Sequence, residues 1–444
     1  MELTDNGRYS KSKFLKNYAQ LAKQLLDHTL KDLVTAEDLL IFPMDLSQSS
    51  DLSKSAKIIE SINNQVQFHN IVGFIGNDKK NMIIRSRFSE NNSDYFFRYL
   101  LQRVLNINVV NLETGMSSEE FFYQLLVYVF PKYLNSAMRK GIYKEYQKHE
   151  YNNSNVKGTL DTARHIRNNV PFRGNIAYTT REYTFDNSIT QLIRHTIEFI
   201  KSSEFNNQNI LQNSGVTQKN VAMIIEATPS YRYSDREKVL LRNKRRVLRH
   251  AYYTEYQLLK KLCLMILTVQ KRGIDSGHEK IKGILFDISW LWEEYVNLIL
   301  PSGFTHTENR NNNGGVKIYK RNYLISKKSK KHRNISIYPD FYNETTIIDT
   351  KYKKLESSIN RADLYQIISY MHILNSERAG VFYPTKNKSN LDKIGDLKGL
   401  GGTIFKYGMY IPQNTTSFED FTDKMKYSER EVLDKLLVEF SERG

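Results

Sequence analysis

The segment 335–374 constrains the fold more than any other part of the chain, because two short β-type runs lead directly into a helical pattern. The first run, 335–338, is followed by a proline and Asp340, and a turn then leads into the second run, 345–348, which ends at Asp349. This pattern predicts two acids at neighbouring strand ends, with a helix behind them.

Three polar side chains of this segment are expected to lie close together. Asp349 and Lys351 are two residues apart, and alternate residues of a strand face the same side of a sheet. Neighbouring carboxylates repel each other unless a cation lies between them, and Mg²⁺ prefers such oxygen ligands. A nearby lysine can orient or help to deprotonate the attacking water and offset phosphate charge. Asp340, Asp349 and Lys351 therefore predict a magnesium-dependent site that hydrolyses phosphodiester bonds.

The helix that follows carries Gln366 and Tyr370 four residues apart, so both side chains lie on one face and can point back to the strand ends. Together with Asp340 and the Asp-Thr-Lys tripeptide at Asp349–Lys351, they resemble the PD-(D/E)xK nuclease superfamily, in the branch with a QxxxY helix. The closest resemblance is to the McrC subunit of McrBC-type (5-methylcytosine) restriction systems. It implies that all five residues are catalytic and that Asp340 and Asp349 bind Mg²⁺.

The same resemblance implies a third metal ligand. In the McrC-like pattern, the helix before the sheet carries a glutamate after an aromatic residue, and Trp292 and Glu293 match that pattern. The run 284–300 is expected to form this helix, with Asp287 as its cap. Glu293 is therefore a candidate ligand of Mg²⁺, and an ordinary surface or ion-paired acid is the alternative.

Length and composition predict more than one domain. A chain of 444 residues with 40% hydrophobic content is too long for a single core. We expect an α+β N-terminal partner-docking domain over residues 1–160, a helical middle region over 161–276 and an α/β nuclease domain of the PD-(D/E)xK, restriction-endonuclease-like class over 277–444. A hairpin is predicted over 71–88, and the resemblance links it to docking on a partner ring.

The charge balance predicts a polyanionic partner. The chain has 65 Lys and Arg residues against 48 Asp and Glu residues, a net charge of +17, and this suggests binding to DNA. A long basic helix from Arg236 and a lysine-rich turn over 317–333 can follow backbone phosphates or simply be solvated. Without an apolar run long enough to span a membrane, we expect a cytoplasmic chain with no membrane partner.

Nucleotide hydrolysis is assigned to another chain, because the sequence lacks a GxxxxGK[ST] phosphate-binding loop. The resemblance to McrC implies a DNA endonuclease subunit that works with, and stimulates, a separate McrB-like AAA+ GTPase hexamer, which reads and translocates DNA. Two alternatives stay open. One is a non-catalytic activator of a partner NTPase that keeps the nuclease fold as a scaffold, and the other is a stand-alone repair or junction nuclease of the same superfamily.

Overall fold

The chain has a mixed α/β fold, in agreement with the α/β class expected from the sequence. The computed structural model describes residues 1–36, 38–43, 55–77, 80–90, 94–105, 118–202, 210–212, 214–246, 248, 252–269, 281–307, 314–320, 335–355, 358–399 and 401–441. The first compact unit comprises Met1–Phe122 and Gly277–Gly444, and the second unit comprises Tyr123–Ser276. The predicted division into three domains at residues 160 and 276 stays a prediction.

The helices and strands are numbered in chain order. Those before residue 106 are β1 (Leu3–Thr4), β2 (Arg8–Ser10), α1 (Lys11–Leu25), α2 (Leu30–Ala36), β3 (Asp38–Phe42), β4 (Ile59–Ile62), β5 (Gln65–Phe68), β6 (Ile71–Gly76), β7 (Asn81–Arg85) and α3 (Tyr95–Leu105). The next are α4 (Ser118–Met138), β8 (Glu145–Asn153), β9 (Thr159–Leu160), α5 (Thr162–Asn169), β10 (Ile176–Thr184), α6 (Ser188–Ser202), α7 (Gly215–Glu226), α8 (Arg236–Arg245) and α9 (Glu255–Val269). The last are β11 (Lys282–Asp287), α10 (Ile288–Ile299), β12 (Thr305–His306), β13 (Val316–Lys317), β14 (Ser336–Ile337), β15 (Phe341–Tyr342), β16 (Thr346–Thr350), α11 (Arg361–Leu374), β17 (Arg378–Thr385), β18 (Asn390–Asp396), β19 (Thr403–Tyr410) and α12 (Phe418–Ser441).

A five-stranded sheet in the order β1-β7-β6-β11-β3 organises the N-terminal part of the first unit. Strands β6 and β7 form the predicted hairpin and pair antiparallel. Strand β11 pairs antiparallel with the other edge of β6, so β6 is internal and all six of its residues are buried. Strand β7 pairs on its other edge with β1, so both strands of the hairpin lie within the sheet. Docking of this hairpin on a partner stays a prediction.

The basic side chain of Arg87, at the end of the predicted hairpin range, is bound within the first unit. Its guanidinium forms an ion pair with buried Asp5 and lies over the ring of Tyr352, 5.1 Å from the ring centroid. Lys79, another basic residue of that range, lies outside the described residues.

Residues 282–299 form a strand and then a helix, where a single helix over 284–300 was predicted. The predicted cap is confirmed, because Asp287 Oδ1 accepts hydrogen bonds from the backbone N–H of Ser289 at 2.9 Å and of Trp290 at 3.2 Å. Leu285 lies in β11, and both elements bury their apolar side chains. A continuous apolar run does not separate a buried strand from a buried helix, so the boundary was missed.

A six-stranded mixed sheet in the order β12-β15-β16-β17-β19-β18 forms the C-terminal part of the first unit. Strands β16, β17 and β19 are parallel, whereas β15 pairs antiparallel with β16. Helix α11 makes the crossover that parallel β16 and β17 require, and its Ile367 and Met371 share a core with Ile347 and Val381. The QxxxY helix is thereby packed against the strand that carries Asp349.

The segment that follows β7 contacts the C-terminal sheet directly. The hydroxyl of buried Tyr352 lies 2.7 Å from Ser86 Oγ. The Tyr352 ring meets Phe88 edge-on, with 5.2 Å between the centroids. The N-terminal sheet is therefore joined to the chain one residue beyond Lys351.

The second unit contains a sheet as well as helices, and of its strands only β10 lies within the region 161–276 that was expected to be helical. Strands β8, β10 and β9 form a three-stranded antiparallel sheet in that order. The long helix predicted from Arg236 is two helices, α8 and α9. In its basic cluster, Arg246 is ion-paired with Glu145, and Arg249 and His250 lie outside the described residues.

Asn187 closes the start of α6 with both ends of its amide. Its Oδ1 accepts hydrogen bonds from the backbone N–H of Ile189 at 3.0 Å and of Thr190 at 3.2 Å. Its Nδ2 donates to the backbone carbonyl of Tyr143 at 2.9 Å. Asn187 is therefore the cap of α6, whereas the Asp186 side chain accepts a hydrogen bond from Gln191 Nε2.

Replacing Asn187 with Ala should loosen α6, because the change removes the cap and leaves buried backbone groups unpaired. We expect a local loss of about 2 kcal/mol, or about 30-fold faster amide exchange. Hydrogen–deuterium exchange of α6 peptides measures it. Asn155→Ala, at an exposed position of the same unit, is the control and should exchange like wild type. Unchanged protection of α6 in Asn187→Ala would contradict the assignment.

Candidate active site

Asp340 and Asp349 occupy opposing positions at the ends of β15 and β16. Phe341 pairs with Ile348 in the antiparallel register, so continuing that register by one residue places Asp340 opposite Asp349. Asp349 lies inside β16, which runs on to Thr350, and not just beyond a strand ending at residue 348 as predicted. The two predicted acids are thus neighbours across one strand pair.

Asp340 is held in place by Thr350, the residue between Asp349 and Lys351. Asp340 Oδ2 accepts hydrogen bonds from the Thr350 backbone N–H and from its Oγ1, both at 2.7 Å. Thr307 holds the backbone here, donating from its N–H to the Asp340 carbonyl at 3.1 Å and from Oγ1 to the Pro339 carbonyl at 2.8 Å. Sequence reasoning missed both threonines. Only Thr350 gave a signal, as the middle residue of the Asp-x-Lys motif.

Asp349 is a buried carboxylate whose two oxygens differ in their contacts. Its side chain is 1% exposed, and its Oδ2 lies 2.7 Å from Lys351 Nζ. Its Oδ1 has no hydrogen-bond partner in the part of the chain that the structure describes. Burial and the charge of Asp340 raise the pKa of Asp349 above its ordinary value, against the lowering effect of Lys351. An oxygen in this position is suited to receive a cation.

Lys351 is held as an ammonium by the acids around it. Burial lowers the pKa of Lys351, but the charges of Asp349 and Asp340 outweigh this and raise that pKa above the ordinary value. At neutral pH the side chain therefore carries a proton and can donate hydrogen bonds. This favours water orientation and offset of phosphate charge over proton abstraction, the other role predicted for it.

Gln366 and Tyr370 lie on the same face of α11, as their spacing predicts, and contact each other. Gln366 Nε2 donates to the Tyr370 hydroxyl at 2.8 Å, and that hydroxyl donates to the Tyr338 carbonyl at 3.4 Å. Burial raises the pKa of Tyr370, and the charges of Asp349 and Asp340 add to this effect. The pair therefore lies within the electric field of the acids and supports the backbone that leads to Asp340.

Glu293 lies on α10 within the field of Asp340. Burial and the negative charge of Asp340 raise the pKa of Glu293, whereas the hydrogen bond from His306 lowers it. The distance from Glu293 Oε1 to His306 Nε2 is 3.0 Å. Sequence reasoning missed His306, which lies on a strand of two residues without a periodic signal.

The acids of the site provide a few carboxylate oxygens, which are the kind of ligand that Mg²⁺ prefers. Within the described ranges, no group of three or more His, Cys, Asp or Glu side chains is arranged to hold a metal ion. Mg²⁺ is usually held by one or two carboxylates plus water and substrate phosphate, and Asp340 with Asp349 meets that requirement. Ligation by Glu293 stays a prediction. Residues 321–333 of the lysine-rich turn predicted beside the site lie outside the described part of the chain.

The fold and site define a mixed α/β protein with paired acids and a lysine at one strand pair. A family model described as "McrBC 5-methylcytosine restriction system component" matches residues 66–384, more than half of the chain. This match includes every predicted site residue from Glu293 to Tyr370. The chain belongs to this family of restriction system components.

Two solved structures are similar to the chain. One is a refined half-complex from a tetradecameric assembly of Thermococcus gammatolerans McrB AAA+ hexamers with bound McrC; it has 16% identity, covers 96% of this chain and 99% of that chain, and gives a TM-score of 0.45. The other is the cryo-EM structure of the Thermococcus gammatolerans McrBC complex, with 15% identity, 67% and 86% coverage and a TM-score of 0.30. No curated protein matches. Among the described helices, none is long and apolar enough to cross a membrane.

Asp349 should make the stability of the first unit fall as the pH rises. Its pKa is raised in the folded state, so its contribution is present below the ordinary pKa of about 3.9 and is lost as the pH passes the raised value. The unfolding temperature in EDTA can be followed by the fluorescence of Trp290 and Trp292, the two tryptophans of the chain. The advantage of Asp349→Asn over wild type should grow from about pH 5 to about pH 8.

The matched control for this measurement is Glu344→Gln. Glu344 is an exposed acid in the turn before β16, so its removal should leave the wild-type dependence on pH. The same slope in Asp349→Asn and in wild type would contradict the raised pKa.

Proposed function

We propose that this chain is the DNA endonuclease subunit of an McrBC-like restriction system, a hydrolase that cuts phosphodiester bonds with Mg²⁺. The observation that carries the proposal is buried Asp349, with Oδ2 against Lys351 and an Oδ1 that lacks a partner among the described residues. Further support comes from Asp340 on the adjoining strand and from the Gln366–Tyr370 pair on the crossover helix. We assign the six-stranded sheet and its helices to the PD-(D/E)xK nuclease fold on the same grounds.

The cation would be held by Asp340 and Asp349, with Glu293 as a further ligand. Bound there, Mg²⁺ supplies Lewis-acid polarisation of a phosphate oxygen and neutralises developing charge. The acids need that neutralisation themselves, since burial and the charge of Asp340 raise the pKa of Asp349 and of Glu293. An empty site favours protonated acids, and divalent charge favours the ionised form that cutting requires.

The chain's own side chains orient the reactants around these acids. Protonated Lys351 donates hydrogen bonds to a phosphate oxygen or to the attacking water and keeps Asp349 in its rotamer. Thr350 prevents Asp340 from turning away from its neighbour, because it binds one carboxylate oxygen twice. Tyr370 fixes the backbone before Asp340 through the Tyr338 carbonyl. Each contact favours one geometry before substrate arrives.

Asp349→Asn and Lys351→Ala should each lower DNA cleavage by at least about 10²-fold, because the first removes an anionic ligand of the proposed cation and the second removes a positive charge that offsets phosphate charge. Cleavage is measured on agarose gels with Mg²⁺, GTP and the partner GTPase. Lys398→Ala, at an exposed position on the same unit, should cut like wild type. Cleavage at the wild-type rate by Asp349→Asn would refute the catalytic assignment.

The same assay separates the two alternative functions. A wild-type chain that stimulates the GTPase but never cuts DNA would be the non-catalytic activator. A chain that cuts unmodified DNA without a partner would be the stand-alone nuclease. The proposed function requires that Lys351→Ala stimulates GTP hydrolysis normally and does not cut.

The partner proposed for this chain is an McrB-like AAA+ GTPase hexamer, and we place its docking surface in the second unit. The two strands of the hairpin at 71–88 are paired along both edges within the five-stranded sheet, and docking through this hairpin stays a prediction. Large exposed apolar side chains are instead concentrated around the three-stranded sheet. This apolar patch comprises Tyr146, Val156, Leu160, Ile166, Val170, Phe172, Tyr183 and Phe185. Exposed apolar surface that exceeds the few scattered side chains of a typical protein marks interaction sites, and we assign that role to these residues.

Tyr146→Ser and Phe172→Ser should weaken docking, since these aromatic side chains are 71% and 64% exposed in the free chain. We expect each change to raise the concentration needed for half-maximal GTPase stimulation by about tenfold. Tyr233→Ser, which removes a 73% exposed tyrosine outside the patch, is the matched control. Undiminished stimulation by both patch variants would place the docking surface elsewhere.

A further inference from the structure

His306 contacts Glu293 from a short strand that is paired with the strand beside Asp340. Its Nε2 lies 3.0 Å from Glu293 Oε1, and the side chains are only 14% and 18% exposed. The imidazole ring stacks on Phe341, with 4.7 Å between centroids and 19° between planes. Phe341 directly follows Asp340 in the chain. The ring is thus fixed by packing while one of its nitrogens holds the glutamate.

The next residue continues this connection. Thr307 donates from its backbone N–H to the Asp340 carbonyl at 3.1 Å and from Oγ1 to the Pro339 carbonyl at 2.8 Å. His306 at the end of β12 and Thr307 directly after it therefore contact a side chain of α10 and the backbone that carries Asp340.

The Glu293 side chain needs such a restraint, because its own conformational preferences do not favour a position beside another acid. A glutamate has three rotatable side-chain bonds, and repulsion from Asp340 favours rotamers that lead away from it. A hydrogen bond from a ring that cannot turn removes that freedom before a cation arrives.

We propose that His306 is a positioning residue of the cation site, which holds the Glu293 carboxylate in one orientation before a divalent cation binds. The inference rests on the proposed function and extends it to a residue outside the Asp-x-Lys and QxxxY motifs. His306 acts through Glu293 and does not itself touch the cation.

The test compares His306→Phe with His306→Gln. Phenylalanine keeps the stack on Phe341 but loses the hydrogen bond, whereas the glutamine amide reaches the position of Nε2 and keeps a donor. Calorimetric titration of the whole chain with Mn²⁺ should show binding about 10- to 100-fold weaker in His306→Phe. His306→Gln should stay within about threefold of wild type. DNA cleavage should show the same order of the variants in its Mn²⁺ requirement.

A double-mutant cycle separates positioning from packing. If His306 acts through Glu293, then His306→Phe should add nothing to the loss already caused by Glu293→Gln. Additive losses in Mn²⁺ affinity, equal losses in the Phe and Gln variants, or wild-type affinity in His306→Phe would each overturn the inference. If the Phe variant does not fold, as judged by tryptophan fluorescence, His306→Asn replaces it, because the shorter amide does not reach Glu293.

The variant Asp349→Asn distinguishes failure of the positioning role of His306 from failure of the proposed function. Mn²⁺ binding that is lost in Asp349→Asn but kept in His306→Phe refutes only the role of His306. A wild-type chain that binds no Mn²⁺, or an Asp349→Asn variant that binds it normally, refutes the cation site and the positioning role together.

Discussion

The repulsion between Asp340 and Asp349 determines the structure around it. Two carboxylates on adjoining strands, one of them nearly inaccessible to water, would separate or take up protons without support. Thr350 and Lys351 supply that support from the same strand, one with hydrogen bonds and the other with charge. Favourable local contacts thus hold the two carboxylates on adjoining strands despite their repulsion.

Much of the candidate site could be predicted because its residues lie within one short segment. A turn, an apolar run and a helix period place Asp340, Asp349 and Gln366 without knowledge of distant contacts. Residues supplied from elsewhere were not predictable. His306 and Thr307 come from the end of a two-residue strand, too short for any alternation to show. Sequence spacing thus found the groups assigned to chemistry and missed those that hold them.

The fold, like the candidate site, was predictable where its elements are local in the sequence and not where they come from distant segments. The hairpin of β6 and β7 is local, and its sequence indicated it, but the strand that covers its free edge comes from residues 282–287, far along the chain. Because both β11 and α10 are buried, a continuous apolar run concealed the change from strand to helix. The strand β8 did carry a signal, since its residues alternate between partly buried and exposed. This alternation is the pattern of a strand with one buried face, and it did not enter the prediction.

The contact between Tyr352 and the segment after β7 limits how the chain can be divided. The hydroxyl of Tyr352 is satisfied by Ser86 and its ring by Phe88, and the neighbouring residue is Lys351. A fragment of residues 277–444 would leave the Tyr352 hydroxyl without Ser86 and the Tyr352 ring without Phe88, next to Lys351. Residues 277–444 alone therefore lack part of their own compact unit, because that unit is built from Met1–Phe122 together with Gly277–Gly444.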